Sequence, residues 1–109
     1  MGSRMQSISF FVMTEFGRRV AENASNGTDH GTGCVAYAMG GGVNGGQVIA
    51  DWPGLASADL YLGEDLAITT DLRTLLSELL VKRLGGSDIS QVFPGFTGAT
   101  SANLFLNRS

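Results

Sequence analysis

The residues best suited to chemistry lie in one glycine-bounded segment, Gly27-Thr28-Asp29-His30-Gly31. His30 is the single histidine of the chain. Histidine is the commonest protein ligand of metal ions and an acid–base group that works near neutral pH. The flanking glycines would let a metal ion or a substrate approach the backbone closely. The alternative interpretation is a histidine in an ordinary surface loop, and the local sequence leaves both open.

Charged side chains upstream add to this set. Glu15 directly follows the first predicted strand, and functional sites of open α/β sheets lie beyond the carboxyl ends of strands. Glu15 is therefore a candidate metal ligand, or alternatively the ion-pair partner of Arg18 or Arg19. A guanidinium matches the oxygens of phosphate and sulfate, so Arg18 is a candidate for binding an anionic group. An exposed basic corner is the alternative.

A divalent metal site in this chain would consist mostly of carboxylates, because the chain has one histidine and one cysteine. A catalytic zinc ion usually takes three protein ligands, and His30, Asp29 and Glu15 are the predicted set. The ion would be zinc, calcium or magnesium. Glu22 and Cys34 are further donors, but Cys34 opens an apolar run, which predicts a buried and inert thiol.

The elements that position these residues are predicted to form a small α/β fold with a sheet of three or four strands. Residues 7–14 and 34–39 are apolar runs that favour two neighbouring strands. The Asn-Gly pair at 44–45 suits a tight turn, and residues 47–50 would return as the second strand of an antiparallel hairpin. A further strand is predicted near the C-terminus, at residues 104–106.

One amphipathic helix is predicted over residues 71–84. Its leucines recur at helical spacing, at positions 72, 75, 76, 79 and 80. Thr70 or Asp71 would cap the N-terminus, and Gly85 would take the left-handed conformation that ends a helix. The leucine stripe is predicted to pack into the core. If the chain cannot cover the stripe, self-association is expected instead.

The glycine-rich segment 40–45 formally matches the G-x-G-x-x-G pattern. That pattern binds a dinucleotide only where a helix follows it, and here an Asn-Gly turn and a β-like run follow. A hairpin is therefore favoured over nucleotide binding, and no cofactor-binding residue is predicted.

Composition excludes several function classes. The 109 residues suffice for one small domain, and a net charge of −3 argues against a nucleic-acid partner. One cysteine allows no internal disulfide framework. The apolar run 8–13 is far shorter than the roughly 20 residues of a membrane span and lacks a signal-peptide cleavage site. No membrane partner and no export signal are predicted, and the localisation stays open.

An ordered series of motifs carries a family resemblance. The segments are 14–18 (TEFGR), 27–31 (GTDHG), 40–46 (GGGVNGG), 51–55 (DWPGL), 65–71 (DLAITTD) and 92–96 (VFPGF). Together they resemble the C-terminal portion of a sulfatase-like bacterial family of unknown function in the alkaline phosphatase superfamily. The resemblance covers residues 7–96 and leaves 97–109 as a tail without a predicted structure.

The resemblance implies the C-terminal part of an α/β/α sandwich and the metal-assisted hydrolysis of a phosphate, sulfate or carboxylic ester. Glu15 then takes the place of a metal-binding aspartate, and Phe16 occupies the neighbouring histidine position but cannot ligate. Asp29 and His30 supply the later histidine motif, and Arg18 faces the bound anion. His30, Asp29 and Arg18 are thus the predicted catalytic residues, with water as the nucleophile because no activated serine is apparent.

The resemblance also leaves a non-catalytic alternative open. In the superfamily, the nucleophile and the first metal-binding carboxylates come from N-terminal strands that have no counterpart in these residues. The chain would then be a truncated module that folds by homo-oligomerisation or by docking to a partner. A small anionic ester is the expected ligand in the first case and a second copy of the chain in the other. Full-length proteins of the resembled family are often exported.

Overall fold

Within residues 2–107, which the computed structural model describes, four short strands and two α-helices form. The chain divides into two compact units. The first consists of Met1–Phe11, Ala38–Ile49 and Thr70–Ser109, and the second of Val12–Tyr37 and Ala50–Thr69. No helix of the described part is long and apolar enough to cross a membrane.

The strands form two separate antiparallel sheets of two strands each. Strands β1 (Ser9–Val12) and β4 (Tyr37–Gly40) make one sheet, and β2 (Gly17–Arg18) and β3 (His30–Gly31) make the other. The predicted pairing of the first two long apolar runs is therefore confirmed by β1 and β4. The single sheet of three or four strands is not formed, so the fold is a small mixed α/β arrangement.

The predicted hairpin over residues 34–50 is wrong in its second half. Residues 47–50 are irregular, and Val48 is 91% exposed, so no packing offsets the entropy of ordering a strand there. The backbone of Val43 instead forms an antiparallel bridge with Phe105, and the N–H of Asn44 donates to the carbonyl of Leu104 at 2.8 Å. The C-terminal segment thus pairs with the residues that follow β4, where the turn of the hairpin was expected.

The predicted helix is confirmed as α1 (Leu72–Arg83). The side chain of Asp71 accepts a hydrogen bond from the N–H of Arg73 at 2.9 Å, so Asp71 is the N-cap, one of the two residues that the sequence suggested. Gly85 has a φ of 70°, as expected just beyond a helix C-terminus. A single further turn, α2 (Ile89–Val92), follows.

The buried side of α1 is polar, contrary to the predicted leucine core. Thr74, Ser77 and Glu78 are its buried residues, and the leucines of the stripe are half-buried or, at Leu72, 38% exposed. Phe105 is the only buried apolar residue of the described chain. The prediction that the chain self-associates therefore stays a prediction, which sedimentation velocity at micromolar concentration would check.

Glu78 attaches the C-terminal segment to α1. Its carboxylate is fully buried and accepts hydrogen bonds from the hydroxyl of Ser101 at 3.0 Å and from the backbone N–H groups of Ala102 and Phe105. The ammonium of Lys82, one helical turn away, lies 3.7 Å from Oε2. The carboxylate of one helix residue therefore holds a segment more than twenty positions further along the chain.

Leu62 is strained in the turn that joins Tyr61 to Asp65. It has a φ of 54°, a conformation that costs a residue with a Cβ about 1–2 kcal/mol, and its side chain is 79% exposed. Because little apolar area would be lost, we expect Leu62→Gly to stabilise the protein by about 0.5–1 kcal/mol. Urea unfolding measures this change. Leu62→Ala keeps the Cβ and should show no gain, and an equal gain in both variants would contradict the backbone explanation.

Candidate anion-binding site

The register of β2 and β3 places Arg18 directly opposite His30, with Gly17 opposite Gly31. Directly opposed residues of an antiparallel pair project from the same face of the sheet. Two residues that the sequence suggested separately, twelve positions apart, are thereby brought onto one face of the second unit.

Glycines allow this pairing by letting the backbones approach closely. A Cβ at buried Gly17 would overlap the carbonyl oxygen of Gly33, and a Cβ at Gly31 would lie 2.6 Å from the carbonyl carbon of Arg18. The N–H of Arg18 donates to the carbonyl of Gly33 at 3.1 Å. Gly31, expected to give a ligand access, therefore serves the packing of the chain against itself.

Phe16 orients both polar side chains of this face. Its ring stacks on the imidazole of His30, with the ring centroids 3.6 Å apart and the planes 28° from parallel. The guanidinium carbon of Arg18 lies 5.7 Å from the centroid of the same ring, within the range of a cation–π contact. The sequence marked Phe16 only as a residue unable to bind metal, and its positioning role was missed.

The two neighbouring arginines differ in their partners. The guanidinium of Arg19 is paired with Glu64 at 3.2 Å and with Asp65 at 3.5 Å. Arg18 donates through Nη1 to the carbonyl of Thr28 at 2.7 Å, and within residues 2–107 it has no carboxylate partner. The charge of Arg19 is thus compensated, while Arg18 is fixed by one bond and keeps donors for a ligand. Neither arginine pairs with Glu15, the alternative that the sequence suggested.

The predicted catalytic residues share one cleft. An open depression of about 450 Å³ is lined by Arg18, Arg19, Thr28, Asp29 and His30. Oδ1 of Asp29 accepts a hydrogen bond from the side-chain amide of Asn23 at 3.1 Å. The cleft therefore combines an uncompensated guanidinium, an imidazole and one carboxylate that already has a hydrogen-bond donor.

The predicted metal ligands do not come together as a set. Asp29 and His30 line the cleft, whereas Glu15 lies exposed in the bend between β1 and β2. No group of three or more His, Cys, Asp or Glu side chains suited to a metal ion occurs in the described part of the chain. These residues as arranged do not fit the three-ligand site expected for a catalytic zinc ion.

Cys34 is exposed, so the prediction of a buried thiol is wrong. Its Sγ accepts a hydrogen bond from the hydroxyl of Thr14 at 3.1 Å. The thiol was expected to be buried because an apolar run follows it, but Val35 and Tyr37 in that run are themselves 61% and 59% exposed. The residues after Cys34 thus do not form a strand covered on both sides.

The glycine-rich segment 40–45 belongs to the first unit, whereas the cleft residues belong to the second. It forms a turn in which the N–H of Gly41 donates to the carbonyls of Met5 and Ile8. The next helical element begins only at Ser57, as a short 3-10 helix. The helix that a dinucleotide fingerprint requires is therefore missing from the segment that follows.

Fold and cleft together define a small mixed α/β protein with an arginine–histidine cleft on a glycine-rich β-hairpin. The chain belongs to the family described as "Protein of unknown function (DUF1501)", which matches residues 3–93. No curated protein and no solved structure matches it. The match includes β2, β3 and all five residues that line the cleft.

Proposed function

We propose that the chain derives from sulfatase-like proteins of the alkaline phosphatase superfamily and that it binds a small anionic ester through a phosphate or sulfate group. The observation that supports this most is the uncompensated guanidinium of Arg18, held opposite His30 by the register of β2 and β3. The ordered motifs that resemble the superfamily support a phosphate or sulfate ester as the ligand.

The chemistry of the cleft suits an oxyanion with several acceptors. The guanidinium of Arg18 donates to the oxygens of the anion, and the ring N–H of His30 donates from the opposite strand. The carboxylate of Asp29 repels an anion, but its hydrogen bond with Asn23 lessens that effect. Because the cleft is open to water, binding is expected to be weak and to decline with added salt.

Substitution of Arg18 tests this proposal. We expect Arg18→Ala to weaken the binding of inorganic phosphate and sulfate at least about tenfold, since a charge-assisted hydrogen bond contributes about 1.5–3 kcal/mol. Isothermal titration calorimetry at low salt measures the change. The matched control is Arg73→Ala, which removes an exposed arginine that is paired with Asp71. Equal affinities for wild type and Arg18→Ala would refute the proposed site.

Hydrolysis of the bound ester is the second candidate function, and the position of Asp29 and His30 beside Arg18 favours it. Metal-assisted hydrolysis through His30, Asp29 and Glu15 stays a prediction, and we derive no step through a metal ion because the three ligands do not converge. Turnover of nitrophenyl phosphate, sulfate and acetate, with and without a chelator and beside His30→Ala, tests it. Chelator-sensitive turnover that is lost in the variant would support a metal-dependent enzyme.

The non-catalytic alternative predicts that the protein hydrolyses none of these esters. A folded sample without turnover on any of these esters, but with a stable oligomer, would favour a module that associates through α1. The partly exposed leucines of that helix are the observation that supports this alternative. Anion binding by Arg18 is compatible with both outcomes, because it requires no chemical step.

A further inference from the structure

A second cleft adjoins the first within the same unit. It has a volume of about 320 Å³, near the lower end of the range for small-molecule pockets. Val20, Leu55 and Leu60 contribute its apolar wall, and Arg19 lines both this cleft and the one that holds Arg18 and His30.

The backbone of residues 18–20 explains why the two clefts are neighbours. The N–H of Arg19 donates to the carbonyl of Asp29 at 2.9 Å, on the side of the first cleft. The N–H of Val20, the next residue, donates to the carbonyl of Glu64 at 3.1 Å, on the side of the second. Arg18, Arg19 and Val20 therefore contribute to the lining of the two clefts, with Arg19 common to both.

We propose that the second cleft receives the alcohol portion of the ester, so that the ligand is an aryl or similarly apolar monoester. This inference rests on the proposed function, since it assumes that Arg18 holds the anionic group. The first cleft offers cationic and hydrogen-bonding groups, while the second offers apolar side chains from Val20, Leu55 and Leu60. A phosphate or sulfate ester of an apolar alcohol has the same two parts.

The charges around the second cleft exclude a second anionic group. Glu64 lines this cleft, and its carboxylate pairs with Arg19 at 3.2 Å. Asp65 lies 3.5 Å from the same guanidinium, so one cation faces two carboxylates. An additional phosphate at this position would be repelled, which disfavours nucleoside polyphosphates and other ligands with two charged ends.

The test compares two phosphonates, which resist hydrolysis because a P–C bond replaces the ester linkage. We expect phenylphosphonate to bind about tenfold more tightly than methylphosphonate, because the ring removes apolar area from water. Leu60→Asn should reduce this ratio towards one, as should the nearly isosteric Val20→Thr if the first variant fails to fold. Leu62→Asn is the matched control, since Leu62 lies two positions away, is 79% exposed and does not line the cleft.

The outcomes separate the two proposals. Equal binding of both phosphonates by the wild type, with Arg18→Ala weakening both, would overturn the apolar subsite and leave the anion site intact. Binding of neither phosphonate, or binding that Arg18→Ala does not change, would overturn the anion site and the subsite together. The subsite would also be overturned if Leu60→Asn and Leu62→Asn reduced the preference for phenylphosphonate over methylphosphonate equally.

Discussion

Replacing Glu78 with alanine is expected to destabilise the first unit by about 3–5 kcal/mol, the usual cost of removing one partner of a buried charged network. The substitution leaves the N–H groups of Ala102 and Phe105 without their acceptor and Lys82 without its carboxylate. Since small domains are stable by only about 5–15 kcal/mol, this loss is a large share of the total, and the variant should unfold at a much lower urea concentration than the wild type. Urea unfolding followed by far-ultraviolet circular dichroism reports this loss through α1.

Glu78→Gln distinguishes the hydrogen bonds from the bulk of the side chain. Oε1 accepts from Ser101 and Ala102, and Oε2 accepts from Phe105. An amide must place its NH₂ group against one of these donors, so we expect this variant to be nearly as unstable as Glu78→Ala. Glu64→Gln is the matched control, because its exposed ion pair with Arg19 contributes under about 1 kcal/mol. Equal stabilities of the two Gln variants would contradict this account of the network.

The same network makes the stability depend on pH. Burial acts to raise the pKa of Glu78. The hydrogen bonds from the N–H groups of Phe105 and Ala102 and from the Ser101 hydroxyl, together with the charge of Lys82, outweigh this effect. The pKa of Glu78 therefore lies below its ordinary value of 4.5. The stabilisation is therefore complete above about pH 4.5 and is lost as the pH falls through the lowered pKa of the folded state. The gap in unfolding free energy between wild type and Glu78→Ala should narrow over that acid range.

The sequence predicted the helix and the pairing of β1 with β4, but neither the irregular course of residues 47–50 nor the pairing of the C-terminal segment. The helix over Leu72–Arg83 follows from leucine spacing and from the Asp71 cap, which are both local signals. The pairing of Val43 with Phe105 joins residues about sixty positions apart, and no local pattern marks it. The buried role of Glu78 was missed for the same reason, since its partners belong to the C-terminal segment, and a glutamate on a helix is ordinarily exposed.

The sequence predicted three of the residues that line the candidate site, but it predicted their arrangement only in part. Arg18, Asp29 and His30 were chosen by residue type, and all three line one cleft. Glu15 was chosen from a parallel-sheet rule about strand ends, whereas the strands here are antiparallel pairs. The rule therefore did not apply, and Glu15 lies outside the lining of the cleft.

Substitution of Gly17 should have the largest effect on the site without removing any group that binds. A Cβ at this position would overlap the carbonyl oxygen of Gly33, and the obstacle is backbone, which cannot move aside as a flexible side chain can. We expect Gly17→Ala to cost about 3 kcal/mol, the upper end of the usual cost of overpacking, and to separate β2 from the segment at Gly33. Arg18 and His30 would then lose their register, and phosphate affinity should fall as far as in Arg18→Ala.

Gly27→Ala is the matched control in the same unit, because a Cβ there would meet only Oδ1 of Asn23, at 3.9 Å. That variant should retain wild-type binding and be neutral to slightly more stable, since alanine restricts the unfolded chain. Amide hydrogen exchange at Arg18 and Arg19, whose N–H groups donate to Gly33 and Asp29, reports the hairpin directly. Fast exchange in Gly17→Ala with unchanged phosphate binding would show that the anion site does not depend on the β2–β3 register.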